Sequence, residues 1–167
     1  FHAQGEHYLF QDFEDEKTND FIAWLWIKNI VQGWPEIYSA GDELDTVGYA
    51  YSQGKIAALI ECGSHTDPKC YEVAETAVNN FLIYTGIISG NSPEVQQNIT
   101  KITTMIRKER PGILMQDFFE MQEVKKWEVI AQYDDGEELL SEADGPILLT
   151  NMSAEIWHEW FYIAYKK

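Results

Sequence analysis

The segment Lys55-Ile-Ala-Ala-Leu-Ile-Glu61 constrains the fold more than any other part of the chain. Its uninterrupted run of apolar residues is typical of a strand that is buried on both faces of a sheet. The run ends on a carboxylate, and the turn-forming segment Cys62–Pro68 follows at once. In α/β sheets the carboxyl ends of strands border the crevice in which ligands bind. The sequence therefore predicts an α/β protein in which Glu61 is positioned for proton chemistry.

Composition and charge limit the size of the fold and exclude some classes of binding partner. A chain of 167 residues with 45% hydrophobic and 14% aromatic residues is long and apolar enough for one compact domain, or for a domain with a small annex. The formal net charge of -16 repels phosphate backbones and anionic membranes, so we expect neither nucleic acid nor a membrane as a partner. A bridge between Cys62 and Cys70 is geometrically conceivable, but two reduced thiols in a cytoplasmic protein are the favoured interpretation.

Periodicity and capping residues predict three helices in the first two thirds of the chain. The first covers Phe21–Val31, is capped by Asn19 or Asp20, and is apolar on nearly all sides, which indicates a buried helix or a partner surface. The second begins at Asp67-Pro68 and ends near Tyr84. The third begins at Ser92-Pro93-Glu94 and ends before Arg110-Pro111-Gly112.

The segments between these helices are predicted to be extended or irregular. Glu6–Phe10 is predicted to be a short strand or a loop, and Ser39–Gly48 is predicted to be a loop. The acidic runs Asp12–Glu16 and Asp134–Glu138 are predicted to be solvated loops, since neither has the residue spacing of a calcium-binding loop.

The composition changes after Pro111, where we place a domain boundary between residues 1–111 and 112–167. Beyond it, runs of strand-forming residues alternate with turns that contain Asp-Gly, which is a strong hairpin signal. The predicted strands are Ile113–Phe119, Trp127–Tyr133, Ile147–Thr150 and Ile156–Tyr165. We therefore predict a small antiparallel β domain after the α/β domain.

The segment around Glu61 also carries a family resemblance. The pattern Glu61-Cys62-Gly63-x-His65-x-Asp67-Pro68, followed by a helix with Val73-Ala74 and Asn80-Phe81-Leu82, resembles the succinylglutamate desuccinylase/aspartoacylase family. The match covers roughly residues 54–88, with a weaker one in the last fifty residues. These are zinc-dependent hydrolases related to the metallocarboxypeptidases. The resemblance implies the carboxyl half of a zinc-carboxypeptidase-like α/β/α domain, followed by a small antiparallel β domain.

The resemblance implies that Glu61 is the general acid/base of amide hydrolysis. From the residues alone, the favoured interpretation of Glu61 is a strand-end carboxylate that caps the next helix or pairs with a lysine. His65 could contact substrate or hydrogen-bond its own backbone in the turn. Gly63 is predicted to allow a backbone conformation that a side chain would obstruct.

The family takes two zinc ligands from a His-x-x-Glu motif and a third from a later histidine, usually within Asp-Leu-His. The chain contains no His-x-x-Glu. Phe1-His2 could end an Asp-Phe-His version of the third motif, which would make His2 a zinc ligand in the intact enzyme; a terminal histidine without function is the alternative. A start at Phe1, without methionine, fits a processed protein or an excised piece that is inactive alone.

The expected function is therefore that of a zinc-dependent hydrolase that cleaves the amide bond of an N-acylated amino acid or a similar small acid. Two alternatives come from other classes of protein. One is a non-catalytic binding module of hydrolase ancestry, and the other is a metallocarboxypeptidase that acts on peptides. Homo-oligomerisation through exposed apolar surface is compatible with the sequence.

Overall fold

The computed structural model of the protein describes residues 5–37, 45–91 and 94–166. The chain forms a mixed α/β structure that divides into two compact units. One unit consists of His7–Thr100, and the other consists of the chain from Lys101 onward together with Gly5 and Glu6. We describe each unit by itself.

The elements of the first unit alternate between short strands and helices. In chain order they are β1 (Tyr8–Phe10), α1 (Glu16–Trp24), β2 (Asn29–Gln32), a 3₁₀ helix (Pro35–Ile37), α2 (Thr46–Ser52), β3 (Leu59–Glu61), α3 (Lys69–Tyr84) and the start of β4 (Asn98–Arg107). The hydrogen-bonded order of the strands is β3-β1-β2-β4. Strands β1 and β2 are parallel, and β3 is antiparallel to β1.

One face of this sheet packs against α1 and α3. Leu9 of β1 and Ile30 of β2 are partners in the ladder, and both belong to a core cluster with Phe21 and Ile22 of α1. Val73 of α3 packs against the same cluster. Each of the four cluster residues is at most 7% exposed, so the burial of apolar surface is what holds the two helices to the sheet.

The prediction of a helix over Phe21–Val31 is wrong, because α1 begins earlier and ends earlier. Asp15 is the cap: one carboxylate oxygen accepts from the backbone N–H groups of Lys17 at 3.1 Å and Thr18 at 3.2 Å. Trp26 has a φ of 60°, a left-handed conformation that does not continue a helix. The apolar residues that follow form β2, which is buried along its whole length. A helix end and a buried strand together produced the pattern of an all-round apolar helix.

The strand that ends at Glu61 is shorter and more exposed than predicted. Only Leu59–Glu61 is extended, and in the strand order β3 is the terminal strand, with β1 as its neighbour. Leu59 is 37% exposed, so the prediction of burial on both faces is wrong for the described part of the chain. The apolar sequence of Lys55–Glu61 indicates that these residues favour burial. How exposed β3 is depends instead on the elements that pack beside it, which the local sequence does not specify.

Two further segments differ from prediction. Thr46–Ser52 is the helix α2, capped by Asp45, whose carboxylate accepts from Gly48 N at 2.7 Å; part of the predicted loop, residues 39–44, lies outside the described residues. Asn98–Arg107 is the strand β4 and not a helix, because six of its ten residues are β-branched. The predicted helix start at Ser92-Pro93 lies outside the described residues, whereas α3 confirms the predicted helix that ends at Tyr84.

The second unit is built from β strands. Its elements are the remainder of β4, then β5 (Gly112–Leu114), β6 (Gln122–Val124), β7 (Val129–Tyr133), β8 (Glu138–Leu140), β9 (Gly145–Leu148) and β10 (Glu159–Lys166). In this unit the hydrogen-bonded order of the first group of strands is β4-β10-β9-β6. A separate antiparallel sheet has the order β5-β7-β8.

The predicted strand-rich unit is confirmed in its main features. Asp134–Gly136 connects β7 and β8 as a hairpin turn, in which Gly136 N donates to Tyr133 O at 2.9 Å. The second Asp-Gly segment, Ala143–Pro146, does not form a hairpin, because β8 and β9 belong to different sheets. The fully buried Trp160, Ile130 and Ile147 lie in the core of this unit. The predicted domain boundary at residue 111 stays a prediction.

Within the described ranges, none of the helices has the length and apolar character that crossing a bilayer requires.

The core of the second unit allows a matched test of packing. Ile147→Ala should lower the free energy of unfolding by about 2–4 kcal/mol, because it removes buried methyl groups from a residue that is 0% exposed. Ile113→Ala, in a strand position that is 64% exposed, should cost less than about 1 kcal/mol. Urea unfolding followed by circular dichroism measures both values. Equal losses in the two variants would contradict the assignment of Ile147 to the core.

Candidate functional site

Glu61 lies at the carboxyl end of β3, on the sheet face opposite to the helices. It pairs with Tyr8 of β1, and directly paired residues of an antiparallel ladder project to the same face. The preceding pair, Ile60 with Leu9, projects to the other face, where both residues contact the cluster that includes α1. Glu61 is partly buried, and this burial raises the pKa of its carboxyl above the usual value for glutamate. A carboxyl of this kind can hold and release a proton closer to neutral pH than an exposed one.

The turn after Glu61 has the backbone geometry that its glycine predicts. Gly63 has a φ of 103°, and a side chain added there would meet no atom within 4 Å. Glycine is therefore required for the backbone conformation and not for space. His65 lies exposed in this turn, which is closed by Asp67 N donating to Ser64 O at 2.9 Å.

The two cysteines are free thiols. Cys62 is partly buried beside Glu61, and Cys70 is buried in the first turn of α3. Burial is the largest cause that raises the pKa of the Cys62 thiol, and the nearby Cys70 and Glu61 raise it further. A raised thiol pKa disfavours the nucleophilic thiolate, so Cys62 is poorly suited to act as a nucleophile.

The described residues do not assemble a zinc site by themselves. His2, the predicted ligand, lies outside them. Across 5–37, 45–91 and 94–166, no three side chains of His, Cys, Asp or Glu come together as a metal ion requires. His7 directly precedes β1 and His158 directly precedes β10, so these two histidines belong to different units. The chemistry of zinc therefore cannot be built on this set of residues alone.

A second carboxyl with a raised pKa lies at the other end of β1 and was missed from the sequence. Burial, followed by the negative charges of Asp45 and Glu36, raises the pKa of Asp12 to about 6. Its Oδ1 atom is buried without a hydrogen-bond partner among the described residues. The prediction that Asp12–Glu16 is a solvated loop is therefore wrong for Asp12. Sequence carried no signal for this site, because its three carboxylates come from separate segments.

The fold is that of the succinylglutamate desuccinylase/aspartoacylase structures. No family model and no curated protein sequence matches the chain. Solved structures match it over nearly its whole length, at low sequence identity and with TM-scores up to 0.75. The resemblance carried by Glu61–Pro68 is thereby confirmed as a likeness of fold, and the mixed α/β architecture with a separate three-stranded sheet agrees with it.

Three of these structures illustrate the match. A succinylglutamate desuccinylase/aspartoacylase from Rhodobacter sphaeroides is 12% identical, with a TM-score of 0.75, over 99% of this chain and 55% of that one. The product-bound ectoine utilization protein EutE (DoeB) from Ruegeria pomeroyi is 13% identical, with a TM-score of 0.75, over 98% and 56%. A succinylglutamate desuccinylase from Vibrio parahaemolyticus is 9% identical, with a TM-score of 0.74, over 98% and 51%. The chain thus spans about half the length of the structures it matches.

The raised pKa of Asp12 makes stability depend on pH in a defined direction. Between pH 3.8 and about 6 the folded chain holds a proton on Asp12 that the unfolded chain releases, so this residue lowers the free energy of unfolding as pH rises. Asp12→Asn should be more stable than the wild type at pH 7.5 by roughly 1–2 kcal/mol, a value reduced for partial exposure. The difference should vanish below pH 3.8.

Urea unfolding at several pH values measures this difference. The control is Asp134→Asn, which also removes a carboxylate but at an exposed position in the β7–β8 turn, and which should not reproduce the gain in stability at pH 7.5. A constant offset between Asp12→Asn and the wild type across this pH range would show that titration of Asp12 is not its cause.

Proposed function

We propose that this chain is part of a hydrolase that cleaves the amide bond of an N-acylated amino acid or a related small acid. The observation that carries the proposal is the placement of Glu61: a partly buried carboxyl with a raised pKa at the end of β3, followed by a glycine turn. The likeness of fold supports it, since the similar structures include proteins named succinylglutamate desuccinylase and aspartoacylase. The activity and substrate of the whole protein are part of this proposal.

Glu61 would serve as the general acid/base. Its carboxylate accepts a proton from the attacking water and then donates it to the nitrogen of the leaving amine. Proton transfer of this kind is most effective when the pKa of the group lies near the working pH, and burial moves the pKa of Glu61 in that direction. The ladder with Tyr8 fixes the backbone position from which this carboxyl projects.

The proposal includes one zinc ion, whose role would be to act as a Lewis acid on the scissile carbonyl and the attacking water. His2 is proposed as one of its ligands. The remaining ligands are proposed to come from a His-x-x-Glu motif in the same protein, because the described residues supply no three-ligand group.

The variant Glu61→Gln tests whether this carboxyl takes part in catalysis. In the zinc-loaded protein that contains this chain, Glu61→Gln should lower kcat by a factor of about 10²–10⁴, because the amide cannot accept the proton. Zinc content should stay unchanged. The matched control is Glu75→Gln, at an exposed position on α3, which should retain kcat. Hydrolysis of N-succinylglutamate and N-acetylaspartate, measured by release of the free amino acid, gives the rates.

The pH profile gives a second readout for the same residue. Since the carboxylate form of Glu61 is the base, kcat/KM should fall as pH is lowered through a pKa that lies above the ordinary glutamate value. Retention of full turnover in Glu61→Gln would remove Glu61 from the mechanism.

His2→Ala tests the proposed ligand. It should lower zinc content at equilibrium with a chelator by at least about tenfold, since loss of one of three protein ligands weakens the site. His158→Ala, which changes a histidine outside the proposed ligand set, is the control and should bind zinc like the wild type. Metal analysis by mass spectrometry measures both variants. Equal zinc content in the wild type and in His2→Ala would remove His2 from the proposed site.

One alternative function is a non-catalytic binding module of hydrolase ancestry, with which the lack of a three-ligand group among the described residues is compatible. That alternative predicts that the protein containing this chain binds no zinc and hydrolyses no acyl amino acid.

A further inference from the structure

A cavity of about 410 Å³ opens in the unit formed by His7–Thr100. The turn that joins α1 to β2 forms one side of it, and the first half of α3 forms the other. Small-molecule sites have volumes of about 300–1,000 Å³, so the cavity is large enough for a compound of modest size.

The cavity lies on the opposite side of the sheet from Glu61. Ile27 and Val73, which line it, belong to or pack against the cluster on the helix-bearing face. Glu61 projects to the other face, together with Tyr8. The cavity is therefore a separate site and has no part in the chemistry proposed for Glu61.

The apolar lining of the cavity comes from both of its sides. It consists of Trp26 with Ile27, Val73 and Val95. Trp26 is 50% exposed, and its indole N–H donates to Glu94 O at 3.3 Å. Its φ of 60° is rare for a residue with a side chain, and such conformations are concentrated at functional sites. An exposed indole held by its backbone and a hydrogen bond offers a flat apolar surface to a ligand.

The polar groups around the cavity carry opposite charges. Lys28 comes from the turn before β2 and Glu72 comes from α3. Thr76 adds a hydroxyl and His7 adds an imidazole. A ligand with only a carboxylate would be attracted by Lys28 but repelled by Glu72. A ligand with only an ammonium group would be attracted by Glu72 but repelled by Lys28. A zwitterion satisfies both charges.

We propose that this cavity binds a free amino acid with an apolar side chain. The ligand carboxylate lies at Lys28, its ammonium lies at Glu72, and its side chain packs on Trp26. Thr76 and His7 are available to complete the hydrogen bonds of the carboxylate. The assignment rests on the cavity alone and requires neither zinc nor the function proposed for Glu61.

Isothermal titration with two amino acids and two singly charged analogues of leucine tests this assignment. The probes are L-leucine, L-phenylalanine, 4-methylpentanoic acid (which lacks the ammonium) and isoamylamine (which lacks the carboxylate). L-Leucine or L-phenylalanine should bind at least about tenfold more tightly than either singly charged compound, because each charged contact adds affinity of that order. No binding of either amino acid, or equal binding of 4-methylpentanoic acid, overturns the proposal.

Matched variants locate the binding site. Lys28→Met and Glu72→Gln should each raise the Kd for the amino acid by about three- to tenfold. The controls Lys55→Met and Glu75→Gln, both at exposed positions that do not line the cavity, should leave Kd unchanged. All four positions are exposed, so the variants should fold, which circular dichroism checks. Equal effects of the cavity variants and the controls overturn the assignment.

Two further readouts separate this proposal from the one for Glu61. The indole N–H resonance of Trp26, identified by its loss in Trp26→Phe, should shift during the titration. Glu61→Gln should bind the amino acid as the wild type does, because its carboxyl faces the other side of the sheet. A Kd that changes in Glu61→Gln, or an unshifted Trp26 resonance, places the ligand elsewhere and overturns the proposal.

Discussion

The antiparallel ladder between β1 and β3 is the constraint on which the candidate chemistry depends. It has three residue pairs, and its register decides which side chains share a face. Since side chains alternate along a strand, a shift by one residue would turn Glu61 toward α1 and α3 and Ile60 away from them. The register is held by the apolar face, where Leu9 and Ile60 contact the helical cluster. The packing of the core therefore sets the direction of the only acid in β3.

A carboxyl with a raised pKa lies near each end of β1. Tyr8 at its beginning is paired with Glu61, and Asp12 follows its end. Both carboxyls have a raised pKa, with burial as the largest cause in each. They differ in their neighbours: Asp12 is repelled further by Asp45 and Glu36, whereas these charges do not act on Glu61. In a chain of net charge -16, repulsion between acids is an expected cost of bringing distant segments together.

The elements that could be predicted from the sequence are those specified by neighbouring residues. The helix after Asp67-Pro68, the hairpin at Asp134–Gly136 and the positive φ of Gly63 all follow from the residues themselves. The elements that were predicted wrongly are those whose secondary structure depends on tertiary contacts. Asn98–Arg107 has the apolar spacing of a helix, yet its β-branched residues and its place beside β2 and β10 make it a strand. The position of Glu61 at a strand end could be predicted from the sequence. The sheet face to which its side chain projects could not, because it depends on the register between β1 and β3. The approach of Asp45 and Glu36 to Asp12 could not be predicted either, because it depends on the tertiary fold.

Strand β4 belongs to both compact units, since the division between them falls within it, after Thr100. Its first residues extend the order β3-β1-β2, and its later residues begin the order that continues to β10. Fraying of its first three residues would leave β2 as the edge strand of the order β3-β1-β2. An edge strand presents unpaired backbone N–H and C=O groups, so an uncovered β2 would become a template that can pair with an extended segment of another chain.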